Sequence, residues 1–290
     1  MTGIVSSLRY LLADFIGDDD GTPPPLPAGL PESARAIVAE AIDLLNDYQS
    51  ASYAQLYVDR LSRFIGRPGV DEAMFCEIAR LMAMRMSYQD PIRIAQVKLA
   101  AFERGAPPST EIHRFRLDEL VGALPELAAD PLLTALGQIG WLHKRVAIPY
   151  STKSRLAIRR LRLEAALRRW RLSSVRYEEE RVWVERWLHM IGRALVKQPA
   201  AAPAVVETAT MVQGFGDAYR RGLADWHAII DGLAKPTFDG ALPLSDLASA
   251  IAEARAAAMP DPRQAALKRT IAEIRARALA DAANANAAAE

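Results

Sequence analysis

Cysteine is nearly missing from this chain. Cys76 stands alone among 290 residues, which excludes an internal disulfide, a cysteine-ligated iron–sulfur cluster and a cysteine-rich zinc site. Histidine is also scarce: His113, His143, His189 and His227 lie far apart, and none forms a His-x-x-x-His pair. Each therefore reads as a core or surface histidine rather than a metal ligand. No run of about 18 apolar residues occurs, so no membrane span is expected. Neither sign of charge dominates, with 36 Lys and Arg against 35 Asp and Glu. That balance argues against a general nucleic-acid binder, whose domain is usually basic throughout. Met1 to Ile16 is mildly amphipathic, but acids follow it instead of a small-residue cleavage site. It is not read as a signal peptide, and a reducing cytoplasm is the expected location.

The nucleotide loops are missing as well. GFGD (Gly214 to Asp217) has neither the preceding strand nor the third glycine of a dinucleotide fingerprint. No Walker-type loop, no haem attachment motif and no Gly-Asp-Gly thiamine diphosphate signature appears. The acids Glu178 to Glu180 sit at a helix start, where they favour the dipole, and no catalytic carboxylate pair is read from them. No cofactor and no catalytic residue is therefore expected in this chain, and the difficult chemistry belongs on another.

What the chain does contain is helical periodicity. After an acidic, proline-rich linker over 17–30, the stripe Ala34, Ile37, Ala41, Leu44 and Tyr48 marks a first long helix. Tyr53, Tyr57, Leu61 and Phe64 mark a second, which GRPG ends. Asp71 is placed to cap a third, carrying Phe75, Ile78, Ala79, Met82 and Met86 as core filler. Asp90–Pro91, Asp130–Pro131 and Asp261–Pro262 each read as a helix start, because aspartate accepts free N–H groups and proline suits the first position. Only Glu111 to Leu127 has room for a short extended piece. The spacing predicts an all-α, multi-helix, orthogonal or bundle-like fold. A short N-terminal helix over 1–16 precedes the linker, a helical accessory domain fills 31–234, and an alanine-rich helical tail with a frayed end fills 235–290.

The stretch Tyr150 to Val196 is crowded with arginine in its first half. Leu156, Leu163, Leu167 and Trp170 fall on one helical face, and Arg155, Arg159, Arg162 and Arg169 on a second. Arg160, Arg168 and Arg171 widen the charged side. Ser173 and Ser174 interrupt, and a second helix with the stripe Trp183, Trp187, Ile191 and Ala194 completes a helix–turn–helix pair. So many like charges repel unless something neutralises them. The charged face is either solvated and partly paired with the nearby glutamates, or a docking surface for an acidic partner.

Four blocks carry a resemblance: YQSASYAQLYVDRL (Tyr48 to Leu61), MSYQDPIRIAQVK (Met86 to Lys98), LRRWRLSSVRYEEE (Leu167 to Glu180) and MVQGFGDAYRRGLADW (Met211 to Trp226). In this order they resemble the helical C-terminal domain of the indolepyruvate ferredoxin oxidoreductase beta subunit family, among the 2-oxoacid oxidoreductases. Tyr88, Asp90, Ile92, Arg93 and Lys98 agree with the family's second block, while Gln89 and Pro91 depart from it. The resemblance implies a non-catalytic accessory subunit or domain working beside a catalytic chain that bears thiamine diphosphate, magnesium and iron–sulfur clusters, in oxidative decarboxylation of aryl pyruvates. The gamma-type catalytic domain of that family is not in this sequence and is expected on a separate chain. Arg155, Arg159, Arg162 and Arg169 are the docking candidates, and self-association is left open. A second reading makes the chain a binding module for an anionic small molecule, such as an acyl-coenzyme A or an aryl acid. It would use Tyr88, Asp90, Arg93 and Lys98 with the turn at Gly214, Gly216 and Asp217, since Arg and Lys hold anionic oxygens.

Overall fold

The computed structural model describes residues 21–124, 126–258 and 263–289. Both the proposed N-terminal helix and the Asp261–Pro262 start lie outside the described residues. In order, the α-helices are α1 (Arg35–Tyr48), α2 (Ala51–Ser62), α3 (Glu72–Met86), α4 (Pro91–Glu103), α5 (Leu117–Gly122), α6 (Glu126–Gln138), α7 (Arg155–Ala166), α8 (Val175–Lys197), α9 (Ala202–Glu207), α10 (Gly216–Ile229), α11 (Lys235–Phe238), α12 (Leu247–Ala257) and α13 (Ala265–Ala289). Strands β1 (Thr110–Arg116) and β2 (Arg145–Ser151) pair antiparallel, Thr110 opposite Ser151 and Arg116 opposite Arg145. The fold is all-α in class, with this two-stranded ribbon as its only sheet among the described residues. β1 falls in the stretch left open for an extended piece. Its partner β2 carried no readable alternation, because it packs Tyr150 inward while Arg145 and Val146 stay in solvent.

The chain divides into two units. The first comprises 1–65 and 82–183, the second 66–81 and 184–290, so the division falls inside α3 and α8. In the first unit α1 packs on α2 and α4 packs on α7. Its core takes Val38, Leu45, Tyr48, Leu56, Tyr57, Leu61, Met82 and Leu99. Helix starts follow the sequence signals where a side chain can reach. Ser50 Oγ accepts from Tyr53 N at 3.2 Å, and Asp90 Oδ1 accepts from Arg93 N at 2.6 Å. Asp130–Pro131 is not a start: Pro131 lies inside α6, five residues after its first, and its missing N–H removes one hydrogen bond of that helix.

In the second unit Asp71 caps α3, its Oδ1 accepting from Met74 N at 2.8 Å. Here the core gathers Phe75, Trp187, Ile191, Val205, Trp226, Ile230 and Leu233. The two indoles are satisfied, Trp187 Nε1 donating to Val205 O at 3.3 Å and Trp226 Nε1 to Thr208 Oγ1 at 3.0 Å. α10 runs into a π-turn over Ile230–Ala234 and then α11. Pro236 has no N–H for the Gly232 carbonyl, and Arg275 Nη1 donates to that oxygen instead, at 2.7 Å. α13 is helical from Ala265 to Ala289, in keeping with the high helix propensity of alanine.

Candidate functional site

Three of the four resembling blocks meet in the first unit around one buried side chain, Arg171. Residues Leu167–Ser173 form a 3₁₀ segment, and its tighter turn swings Arg171 off the exposed arginine face. Arg171 is 2% exposed. Its Nε donates to Asp90 Oδ2 at 2.6 Å and its Nη2 to Asp90 Oδ1 at 3.1 Å, a two-point fork on the residue that caps α4. Nη1 donates to the Tyr48 carbonyl at 2.7 Å and to Gln49 Oε1 at 3.1 Å. One guanidinium thus neutralises a cap and satisfies an orphan carbonyl at the end of α1, where the helix dipole favours a cation. It also lies 3.8 Å above the Tyr48 ring. Burial opposes its charge, yet the Asp90 carboxylate, charged and hydrogen-bonded to it, helps hold its pKa above the ordinary arginine value.

Tyr88 stands edge-on to Tyr48 at 5.8 Å, and the Arg176 guanidinium lies 5.4 Å over its ring. Burial pushes both phenols well above their usual pKa, so they stay neutral. Their hydroxyls have no hydrogen-bond partner among the described residues. Close by in sequence, Glu180 carries a second buried charge pair. Its Oε2 accepts from Arg85 Nη2 at 2.5 Å and its Oε1 lies 2.8 Å from Arg176 Nη2. Glu180 is therefore committed inward, and Glu178 pairs with Arg181. Neither neutralises the arginines of α7.

Arg93 and Lys98 turn to a different place, a cavity of about 320 Å³ between α4 and β1. Lys98 is buried, donating to Ser109 Oγ at 2.5 Å and directly to the Glu111 carboxylate. That hydrogen bond holds Glu111 below its ordinary pKa. Arg93 lies 5.7 Å over the Tyr48 ring and makes no ion pair among the described residues. Burial lowers its pKa. The expected set is therefore split: Asp90 and Tyr88 belong to the packed cluster, while Arg93 and Lys98 line open space.

Gly214, Gly216 and Asp217 fall in the second unit and line neither. Both glycines have positive φ, +72° and +71°, which turn the chain into α10. Phe215, not Asp217, occupies the cap position. Asp217 sits in the first turn, 3.5 Å from Arg220, where it favours the dipole.

The face of α7 also differs from its expected packing. Only Leu161 is buried on this helix. Leu156 is 77%, Leu163 66% and Trp170 59% exposed. Arg155, Arg159, Arg162 and Arg169 are exposed beside them. Arg162 reaches Glu103 at 3.9 Å, and the other three form no ion pair among the described residues. Sequence reasoning missed Arg171 because it counted the 3₁₀ residues at α-helical spacing. The adjoining Leu172-Ser173-Ser174 break was the available signal.

Among the described residues no three of His, Cys, Asp and Glu gather as metal ligands do. No described helix is long and apolar enough to cross a membrane. Fold and site together define an all-helical protein with a buried arginine–tyrosine cluster and a cavity of small-molecule size. Residues 34–232 match a family of unknown function, DUF6537, and the chain belongs to that family. No curated protein and no solved structure matches it.

Proposed function

We propose that the protein is a non-catalytic helical accessory subunit or domain of an indolepyruvate-type 2-oxoacid oxidoreductase complex. It assists assembly with the chain that bears thiamine diphosphate and the iron–sulfur clusters. The resemblance of the four blocks motivates the partner. The observation that carries the docking role is the outer side of α7 and the 3₁₀ segment after it, where Leu156, Leu163 and Trp170 lie in solvent with Arg155, Arg159 and Arg169, which have no counter-ion among the described residues. Contiguous apolar surface edged with charge marks an interaction site, and arginine with tryptophan is the pairing that protein interfaces favour. Its complement is an acidic rim around an apolar groove on the catalytic chain.

Purification of the complex from the native host tests this reading. The chain is expected to elute with a thiamine- and cluster-bearing partner, and isolation without one overturns the proposal. Exchange of Arg155, Arg159, Arg162 and Arg169 for glutamate is expected to release the partner while helical content stays unchanged.

A further inference from the structure

The cavity between α4 and β1 carries an assignment of its own, independent of any partner chain. Its lining is chemically mixed. Ile94, Val97, Ala101 and Phe102 of α4 offer aliphatic and aromatic surface, with Pro107 after the helix. Arg93 and Lys98 of the same helix, with Glu111 of β1, bring charge to it.

The charges there do not balance. Lys98 is matched by Glu111, and both Asp90 oxygens are taken by Arg171 and by the backbone N–H of Arg93. Arg93 is left half-buried with its planar fork of donors unused and no acid bound to it among the described residues. A half-buried cation facing an open space lacks part of its hydration, and the Tyr48 ring with the Asp47 and Asp90 charges offsets this without a direct ion pair. One monovalent anion would neutralise the lining, and a carboxylate matches the fork's two parallel donors. Size adds a constraint. The volume, about 320 Å³, sits at the lower end of the about 300–1,000 Å³ usual for ligand pockets, too small to enclose the nucleotide of a coenzyme A thioester.

We propose that this cavity binds a small monocarboxylate with an apolar body. The carboxylate rests on the Arg93 guanidinium, and the body lies along Ile94, Val97, Ala101 and Phe102. Lys98, held by Ser109 and Glu111, fixes the floor and is not a direct ligand.

Calorimetric titration of the full chain with 4-phenylbutyrate, and with 4-phenylbutanol as its uncharged counterpart, tests the site. The acid is expected to bind at least about tenfold more tightly than the alcohol. Arg93→Gln should bring the two to equal affinity, with an unchanged circular dichroism spectrum and melting temperature. Should Arg93→Gln fail to fold, Val97→Asp serves: Val97 is 50% exposed, tolerates a polar group, and would set a like charge against the ligand, weakening the acid more than the alcohol. A flat titration of the wild-type chain with millimolar acid overturns the proposal. So does an acid preference undiminished in whichever of the two variants folds. No partner enters the measurement, so its failure leaves the accessory role standing, and failure of that role leaves the site standing.

Discussion

The first unit holds two sets of arginines that live under opposite rules. Arg171 and Arg85 are 2% and 3% exposed, and each is tied to a buried carboxylate. Arg155, Arg159 and Arg169, a turn or a few turns away along the chain, face water without an ion pair among the described residues. A buried charge costs so much desolvation that it persists only when its geometry is fully matched. An exposed one is screened and weakly coupled to stability. An arginine-rich run is therefore two devices, one that locks helix ends together and one that leaves a surface ready for something acidic.

The comparison breaks first at Arg171. Arg171→Met would leave the Asp90 carboxylate buried without its cation, and the Tyr48 carbonyl with Gln96 Nε2 alone as side-chain donor. About 3–5 kcal/mol of stability should be lost in a denaturant titration, as for other buried pairs stripped of one partner. Asp90→Asn keeps the cap, so adding it to Arg171→Met should recover part of that loss. A double-mutant cycle reads the coupling. If Arg171→Met costs no more than an exposed substitution, the inner cluster is not what joins the end of α1 to the start of α4. Glu180→Ala comes next. It strands Arg85 but leaves Arg176 a route to solvent, since its side chain is 19% exposed. A somewhat smaller loss, on the order of 2–4 kcal/mol, is expected.

Much of the fold was legible because burial followed periodicity. The stripes Tyr53-Tyr57-Leu61-Phe64 and Trp183-Trp187-Ile191-Ala194 are both buried throughout, since an uninterrupted α-helix keeps its phase. The stripe Leu156-Leu163-Leu167-Trp170 has the same arithmetic, yet Leu156, Leu163 and Trp170 lie in solvent and Leu167 is only half-buried. Periodicity shows that a helix has an apolar face, but says nothing of whether the chain itself covers that face. Arg171 was illegible for a related reason: 3₁₀ geometry from Leu167 on shifts the phase by roughly 20° per residue, and Arg171, the fifth residue of the segment, is the one buried. Asp90 was legible as a cap from Asp-Pro alone. Its second task, gripping an arginine 81 positions away, depends on tertiary packing that no local signal records. The candidate cavity was half legible: Arg93 and Lys98 were singled out, but the apolar wall and β1 beside them emerge only when α4 is folded against the ribbon.

On the outer face the expected effects are small for stability. Replacing Arg155, Arg159 and Arg169 with glutamate should move the unfolding free energy by no more than about 0.5 kcal/mol per site, or raise it slightly by relieving repulsion. Trp170→Ala should likewise be nearly neutral by itself, as its ring is 59% exposed. A loss of several kcal/mol at any of these positions would mean that the face is covered within the chain, and the contrast with Arg171 would disappear.

Lys98 and Glu111 lie between the two extremes and sharpen the comparison with pH. The lysine side chain is 9% exposed and the glutamate 56%, so one partner is buried while the other remains wet. The hydrogen bond from Lys98 depresses the Glu111 pKa below its ordinary 4.5. A carboxylate with a depressed folded pKa contributes stability above its unfolded pKa and loses it as pH falls through the folded one. Stability should therefore decline below about pH 4.5 more steeply in the wild type than in Glu111→Gln, and the two curves should run parallel above it. Solvent around the glutamate keeps the difference small. It should also shrink when salt is added, as screening demands of an exposed carboxylate, whereas the Arg171 effect should be nearly indifferent to salt. Equal salt sensitivity at both places would show that burial does not separate them.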